Sequence, residues 1–116
     1  MHELAITQNL IALIEDECNK QHIINPTKIM VDLGFFTTYS KECIMFYYNL
    51  LRKDVPLLSK TKLKISIIDG KIQCNQCKKI STVKDPRMIL CQHCHSLNVQ
   101  IIQGKEFILR EICIGE

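Results

Sequence analysis

Apolar residues recur at intervals of three and four between positions 4 and 20 of the chain. This spacing places them on one side of a helix and leaves most polar residues on the other, so it predicts an amphipathic helix. The residue before a proline is disfavoured in helical geometry, and Asn25-Pro26 therefore marks an interruption of the pattern. The predicted apolar face consists of Ile6, Leu10, Leu13, Ile14 and Cys18.

A second helix is predicted to begin after Ser40. Serine is a favourable N-cap residue because its side-chain oxygen accepts a hydrogen bond from a backbone N–H of the first turn. The sequence Asp54-Val55-Pro56 is predicted to end this helix. Its predicted apolar face consists of Cys43, Ile44, Tyr47, Leu50 and Leu51.

Three segments are predicted to be strands, because they alternate apolar with polar residues or are rich in β-branched side chains. They are residues 28–33, 63–68 and 107–114. The apolar faces are predicted to be Ile29, Val31 and Leu33 in the first strand, Leu63, Ile65 and Ile67 in the second, and Ile108, Ile112 and Ile114 in the third.

These elements predict an α+β fold, in which a small mixed sheet of about three strands is packed by two helices. A cysteine-containing segment lies between Gly70 and Gly104 and interrupts the series. We therefore expect a discontinuous domain of residues 1–70 and 105–116, with a zinc-ribbon-like module of residues 71–104 inserted into it. With 116 residues, 47% hydrophobic residues and 23% charged residues, the chain is long and apolar enough for one core.

Seven cysteines are the unusual feature of the composition. Four of them form two Cys-x2-Cys pairs, Cys74/Cys77 and Cys91/Cys94, separated by 13 residues. A spacer of two residues lets both sulfurs of a pair point at one ion, and two pairs supply the four thiolates of a tetrahedral structural Zn²⁺ site. Four thiolates also suit iron. Because all four coordination positions are filled, a hydrolytic zinc enzyme is not expected.

Two histidines, His93 and His95, flank Cys94. They are either exposed residues of the metal-binding turn or accessory ligands, because an imidazole that titrates near neutral pH can replace a thiolate or bind a second metal ion.

Three further cysteines, Cys18, Cys43 and Cys113, are isolated and have apolar neighbours. We interpret them as small residues of the hydrophobic core.

The chain begins Met1-His2-Glu3. The α-amine of Met1, the deprotonated amide nitrogen of His2 and His2 Nδ1 can form adjacent five- and six-membered chelate rings. Nitrogen donors of this kind suit square-planar Ni²⁺ or Cu²⁺. The N-terminus is therefore a candidate site for one of these two ions.

The order of these features resembles the HypA/HybF family of nickel-insertion metallochaperones. The resemblance rests on the Met1-His2-Glu3-Leu4 start of the first helix, on Leu33-Gly34, on the four paired cysteines and on Gly104-Lys105-Glu106. It implies Ni²⁺ as cargo and Zn²⁺ as a structural ion held by the four cysteines. Met1 and His2 would be nickel ligands, and Glu3 would be a ligand or would hydrogen-bond to one. It also implies a HypB-type partner GTPase, delivery to the large subunit of [NiFe] hydrogenase and, in some bacteria, urease and a urease accessory protein.

The rival interpretation is a zinc ribbon that binds nucleic acid or another protein. With the zinc and four thiolates counted, the net charge of residues 71–105 is only about +3, and this segment contains no aromatic residue on which bases could stack. We therefore expect no nucleic-acid partner. An iron-binding electron carrier of the rubredoxin type is a third alternative.

No phosphate-binding loop and no nucleophile–base pair is evident, so we expect no enzymatic activity. The chain also lacks an apolar run of the length that a membrane span requires and the pattern of a signal peptide, which predicts a cytoplasmic protein without a membrane partner.

Overall fold

A computed structural model describes residues 2–115 of the chain. Within this range the chain forms two α-helices, six strands and three short 3-10 helices, the latter at Phe35–Thr37, Arg52–Asp54 and Pro56–Leu58. The helices are α1 (Glu3–Lys20) and α2 (Lys41–Leu51). The strands are β1 (Pro26–Gly34), β2 (Lys62–Ile68), β3 (Lys71–Cys74), β4 (Ile80–Thr82), β5 (Val99–Gln103) and β6 (Phe107–Ile114).

The strands form two sheets of three strands each, with the orders β2-β1-β6 and β4-β3-β5. In the second sheet, β3 pairs antiparallel with both neighbours. The predicted α+β class with two helices and an inserted cysteine module is confirmed. The individual strands β3, β4 and β5 were not predicted, because they are only three to five residues long and carry little periodic signal.

The described residues divide into two compact units. The first comprises residues 2–31, 39–66 and 108–115. Its core consists of apolar side chains from the two helices and the strands. As predicted, Ile29, Val31 and Leu33 of β1 are fully buried. The predicted apolar face of β6 is buried only in part, because Ile112 is half-buried whereas Ile108 is exposed and Ile114 is 65% exposed. The other edge strand of the sheet, β2, does bury Leu63 and Ile65, so position at an edge is not the cause.

The second unit comprises residues 32–38 and 67–107. Gly34 donates its N–H to the carbonyl of Glu106, and Phe36 donates its N–H to the carbonyl of Gly104. A Cβ atom at Gly34 would lie 2.2 Å from the Gly104 carbonyl oxygen, so only glycine permits this close approach. These contacts group residues 32–38 with the cysteine segment. The proposed domain boundaries at 70/71 and 104/105 stay a prediction.

The helices bury partly different faces from those predicted. In α1 the buried set includes Ile11 and Thr7, whereas Leu13 is 44% exposed. In α2 the Ser40 cap is confirmed, since Ser40 Oγ accepts the N–H of Cys43 at 3.2 Å.

The buried residues of α2 are Ile44 and Tyr48, so the inward face is rotated by about one residue from the predicted one. The hydroxyl of Tyr48 donates to the carbonyl of Thr61 at 2.8 Å, which satisfies its polar end inside the core.

Of the three isolated cysteines, only Cys18 is a core residue. Cys43 is exposed and Cys113 is half-buried, so the core interpretation is wrong for Cys43 and only partly right for Cys113. None of the helices within residues 2–115 has both the length and the apolar character needed to cross a bilayer.

Candidate metal sites

The four paired cysteines come together in the second unit. Their sulfur atoms all lie within 4.8 Å of one another, and the distances are 3.5 Å from Cys74 to Cys94 and 3.6 Å from Cys77 to Cys91. A tetrahedron with metal–sulfur bonds of about 2.3 Å has edges of about 3.8 Å. The sulfur positions therefore fit one tetrahedral ion.

Each cysteine pair forms the same tight turn. Cys74 Sγ accepts the N–H groups of Gln76 and Cys77, both at 3.3 Å. In the second pair, Cys91 Sγ accepts the N–H groups of His93 and Cys94 at 3.3 and 3.4 Å. Backbone donors aimed at a sulfur stabilise its thiolate form, which is the form that binds metal.

The fifth residue of each turn adopts a left-handed backbone conformation. Lys78 has φ 70° and donates its N–H to the carbonyl of Cys74, and His95 has φ 63° and donates its N–H to the carbonyl of Cys91. Glycine is the usual residue at such positions. The sequence analysis missed these two conformations because neither lysine nor histidine signals them.

The turns change the acidity of the thiols. The N–H of Cys77 is the main cause that lowers the pKa of Cys74 to about 6, and the N–H of Cys94 is the main cause that lowers the pKa of Cys91. At Cys94 the N–H of Ser96 lowers the pKa, but the neighbouring Cys74 sulfur and burial outweigh it and raise the pKa to about 11. Several thiolates this close together repel one another, and a cation between them would relieve that repulsion.

A chain of side-chain amides connects the strand ends near the first turn. Asn75 donates to Asn98 at 2.8 Å, and Gln100 donates to Asn75 at 2.8 Å. The N–H of Asn75 also donates to the carbonyl of Asn98. These bonds fasten the first turn to the start of β5. The sequence analysis did not identify them, because side-chain amides carry no pairing signal along the chain.

His93 and His95 are both exposed. Within the described residues, the group of side chains that could hold a metal ion consists of the four cysteines. His95 lines an open pocket of about 310 Å³ together with Met88 and Gln92. An accessory metal role for the two histidines stays a prediction.

At the N-terminal end, the candidate nickel ligands His2 and Glu3 differ in their exposure to solvent. His2 is exposed at the N-cap position of α1, and its carbonyl accepts the N–H of Ile6 at 3.1 Å. Glu3 is only 7% exposed. Met1 lies outside the described residues, so its predicted role as a ligand stays a prediction.

The Glu3 carboxylate connects the beginnings of the two helices. Its Oε2 accepts the backbone N–H of Ser40 at 2.8 Å, while Ser40 Oγ caps α2 through Cys43. The contact spans 37 positions of sequence, and only the tertiary fold brings the two residues together. The sequence analysis identified Ser40 as a cap but missed its contact with Glu3.

The whole arrangement can be compared with known proteins. The model of a family described as hydrogenase/urease nickel incorporation, metallochaperone, HypA, matches residues 1–114. The chain belongs to the HypA family. The predicted resemblance is confirmed, and it covers nearly the entire chain.

Curated relatives agree with this assignment. The chain is 33% identical over 112 residues to the hydrogenase maturation factor HypA of Aquifex aeolicus, covering 97% of this chain and 96% of the relative. It is 30% identical over 112 residues to the hydrogenase/urease maturation factor HypA of Helicobacter pylori, covering 94% and 93% of the two chains.

Solved structures agree as well. The fold is similar to a solution structure of the Ni metallochaperone HypA from Helicobacter pylori, with a TM-score of 0.68, 25% identity and coverage of 97% and 96%. It is also similar to another solution structure of a HypA protein, with a TM-score of 0.69, 25% identity and coverage of 97% and 94%. The fold is thus shared with solved members of the family.

Proposed function

We propose that this chain binds Ni²⁺ at its N-terminus and delivers it, together with a HypB-type GTPase, to the large subunit of [NiFe] hydrogenase. The observation that carries the proposal is the match of residues 1–114 to a nickel-incorporation family. Urease is a further proposed recipient, since the Helicobacter pylori relative is described as a hydrogenase/urease maturation factor, and a urease accessory protein is a further proposed partner. The proposed location is the cytoplasm, with no nucleic-acid partner.

The proposed role of Cys74, Cys77, Cys91 and Cys94 is to hold a structural Zn²⁺ ion. The sulfur–sulfur distances of 3.5 and 3.6 Å support a tetrahedral site. Four protein thiolates fill the coordination shell, so the ion would stabilise the fold and would not activate water. The module of residues 71–104 would then be the zinc domain, and residues 1–70 and 105–116 would be the nickel domain.

The proposed nickel site uses the α-amine of Met1 and the nitrogens of His2. The exposure of His2 supports this role, because a transported ion must be reachable by the ligands of a recipient. Ligands at a chain end can be protonated or displaced one at a time, which favours stepwise transfer. A buried cage would hold its ion through many more simultaneous contacts.

The proposed role of Glu3 is to position this terminal site. One carboxylate oxygen already accepts the Ser40 N–H, and this bond holds the first turn of α1 next to the first turn of α2. A residue anchored in this way limits where His2, its neighbour in sequence, can lie. Glu3 would therefore orient the nickel ligands, and direct coordination by its carboxylate is the alternative.

The chain contains no phosphate-binding loop, so any nucleotide hydrolysis in the transfer cycle would come from the partner. The GTPase itself enters the proposal through the membership of the HypA family. The protein itself would act by binding and release of the ion, without a catalytic step.

The deciding experiment is a calorimetric nickel titration of untagged, zinc-loaded protein. The matched control carries one additional residue before Met1, which moves the α-amine away from His2 but leaves every side chain in place. Specific binding to the native protein that is lost on extension is the expected result. Equal binding by both proteins, or binding by neither, would contradict a terminal nickel site, and the module would then be tested as a protein- or nucleic-acid-binding ribbon.

A further inference from the structure

The four clustered cysteines differ in their exposure to solvent. The first cysteine of each turn, Cys74 or Cys91, is buried and Cys77 is half-buried, whereas Cys94 is exposed. A reagent in solution reaches an exposed cysteine sooner than a buried one. Cys94 is therefore the most accessible member of the cluster.

The surroundings of the two turns reinforce this difference. The first turn is fastened to the start of β5 by the hydrogen bond from Asn75 to Asn98. In the second turn, each residue of the range 92–95 is exposed, and the backbone N–H of Gln92 donates to Ser81 Oγ over a long distance of 3.4 Å. The second turn is thus the more open of the two.

The sulfur atoms also differ in the hydrogen bonds that they accept. Cys74 Sγ and Cys91 Sγ each accept two backbone N–H groups at 3.3–3.4 Å. Within residues 2–115, the backbone donor to the Cys94 sulfur is the N–H of Ser96. A hydrogen bond to a thiolate draws electron density from the sulfur and lowers its nucleophilicity. The Cys94 thiolate therefore keeps more of its nucleophilic character than the first sulfur of either turn.

We propose that Cys94 is a site of oxidation by hydrogen peroxide, and that Cys74 then forms a disulfide with it. Cys94 Sγ contacts Cys74 Sγ at 3.5 Å, whereas Cys77 Sγ contacts Cys91 Sγ at 3.6 Å. These contacts join the two turns, and they make Cys74 the thiolate next to Cys94. The inference rests on the proposed zinc role of the cluster, because metal binding keeps the sulfurs in the reactive thiolate form.

The reaction needs peroxide as its only co-reactant. The Cys94 thiolate attacks one oxygen of hydrogen peroxide, the O–O bond breaks, hydroxide leaves, and Cys94 becomes a sulfenic acid. The Cys74 thiolate then attacks the Cys94 sulfur, so that an S–S bond forms, the S–O bond breaks and a second hydroxide leaves. Two thiolates thus lose two electrons, and one molecule of peroxide accepts them.

This disulfide would make the stability of the cysteine module depend on oxidants. It removes two of the four thiolates, and the remaining pair of Cys77 and Cys91 is too small a ligand set for a structural Zn²⁺ site. Because metal binding contributes to folding, the second unit would lose stability. A thiol reductant together with Zn²⁺ would reverse the change, since a disulfide is a reversible stage of cysteine oxidation.

The first test compares the reactivity of the four cysteines in the full, zinc-loaded chain. Cys43→Ser and Cys113→Ser are introduced together, so that the buried Cys18 is the one cysteine left outside the cluster. After brief treatment with less than one equivalent of iodoacetamide, peptide mass measures the label on each cysteine. Cys94 should carry about tenfold more label than the two buried members of the cluster, because exposure and thiolate character control reactivity. Equal labelling, or more label on a buried member, would overturn the proposal.

The second test adds one equivalent of hydrogen peroxide to the same zinc-loaded variant. A coloured chelator measures zinc release, and peptide mass identifies the disulfide. The control receives peroxide that has first been destroyed with catalase. The expected result is a disulfide between Cys74 and Cys94, with one zinc ion released for each disulfide. A first disulfide between Cys91 and Cys94, or between Cys77 and Cys91, would contradict the proposed order of reaction.

Failure of the peroxide proposal can be distinguished from failure of the proposed zinc role. Zinc content is measured before any reagent is added, and one equivalent that is lost in Cys74→Ala supports the zinc role by itself. A chain that is fully loaded with zinc and resists peroxide, or that is oxidised elsewhere and keeps its zinc, would overturn the peroxide proposal alone. None of these readouts involves nickel.

Discussion

The two candidate metal sites of this chain are built in opposite ways. At the four-cysteine cluster, each pair of sulfurs is positioned by its own turn, in which backbone N–H groups lie 3.3–3.4 Å from the first sulfur. At the N-terminal end, the decisive contact joins Glu3 to Ser40, 37 positions later. The first site is set mainly by local sequence, and the second depends on the packing of two helices.

This difference suits two different tasks. A closed set of four thiolates holds an ion permanently, and its binding free energy becomes folding free energy. An exposed His2 beside an anchored Glu3 leaves one side of the terminal site accessible. A protein that keeps one ion and passes on another would need both kinds of site.

The largest expected effect is the loss of the cysteine cluster. Cys74→Ala should abolish stoichiometric zinc binding and unfold the second sheet, because structural zinc sites contribute about 10–16 kcal/mol at neutral pH. Zinc content and amide NMR spectra would measure this, and the exposed Cys43→Ala is the control. A variant that retains a full equivalent of zinc and the spectrum of the second sheet would contradict the four-thiolate assignment.

The next effect concerns the terminal site alone. His2→Ala should weaken nickel binding by about a hundredfold or more, since loss of a residue that only hydrogen-bonds to a ligand already lowers metal affinity by about 10–100-fold. Zinc content should not change. His22→Ala is the control because it removes another exposed imidazole. Calorimetry on untagged protein measures the difference, and unchanged nickel affinity would exclude His2 as a ligand.

Substitutions at Glu3 test whether the N-terminal end depends on tertiary packing. Glu3→Gln retains an oxygen that can accept the Ser40 N–H, whereas Glu3→Ala does not. We expect Glu3→Ala to weaken nickel binding by about 10–100-fold and Glu3→Gln to weaken it less, if the carboxylate orients the site. Nickel titrations and urea unfolding of both variants distinguish the roles. An equally large loss of affinity in the two variants, without loss of stability, would favour direct coordination by the carboxylate.

The smallest expected effect tests whether the backbone conformation within a cysteine turn affects the stability of the module. Lys78 has φ 70°, a conformation that costs a lysine more than a glycine, so Lys78→Gly should stabilise the module by about 0.5–1 kcal/mol. Lys79→Gly, at a position without positive φ, should destabilise it slightly. Competition with a zinc chelator would rank the variants. The same effect at both positions would show that backbone conformation at the turn does not limit stability.

Features that depend on neighbours along the chain could be predicted from the amino-acid sequence. The Cys-x2-Cys spacing places the two sulfurs of each pair within reach of one ion, because a two-residue spacer closes a turn. Ser40 was recognised as a cap for the same reason, and the alternation in β1 identified its buried face. The meeting of the two pairs joins cysteines that are 14 and 20 positions apart, and it depends on the fold.

Which surfaces meet could not be predicted, because this depends on contacts between distant parts of the chain. Helical spacing allowed several faces of α2, and packing selected Ile44 and Tyr48 because the Tyr48 hydroxyl finds the Thr61 carbonyl inside the core. Likewise, Glu3 became a buried acceptor for Ser40 although both lie in separate helical segments of the sequence. Periodicity specifies that a side of a helix is apolar, but the partner that covers it comes from distant parts of the chain.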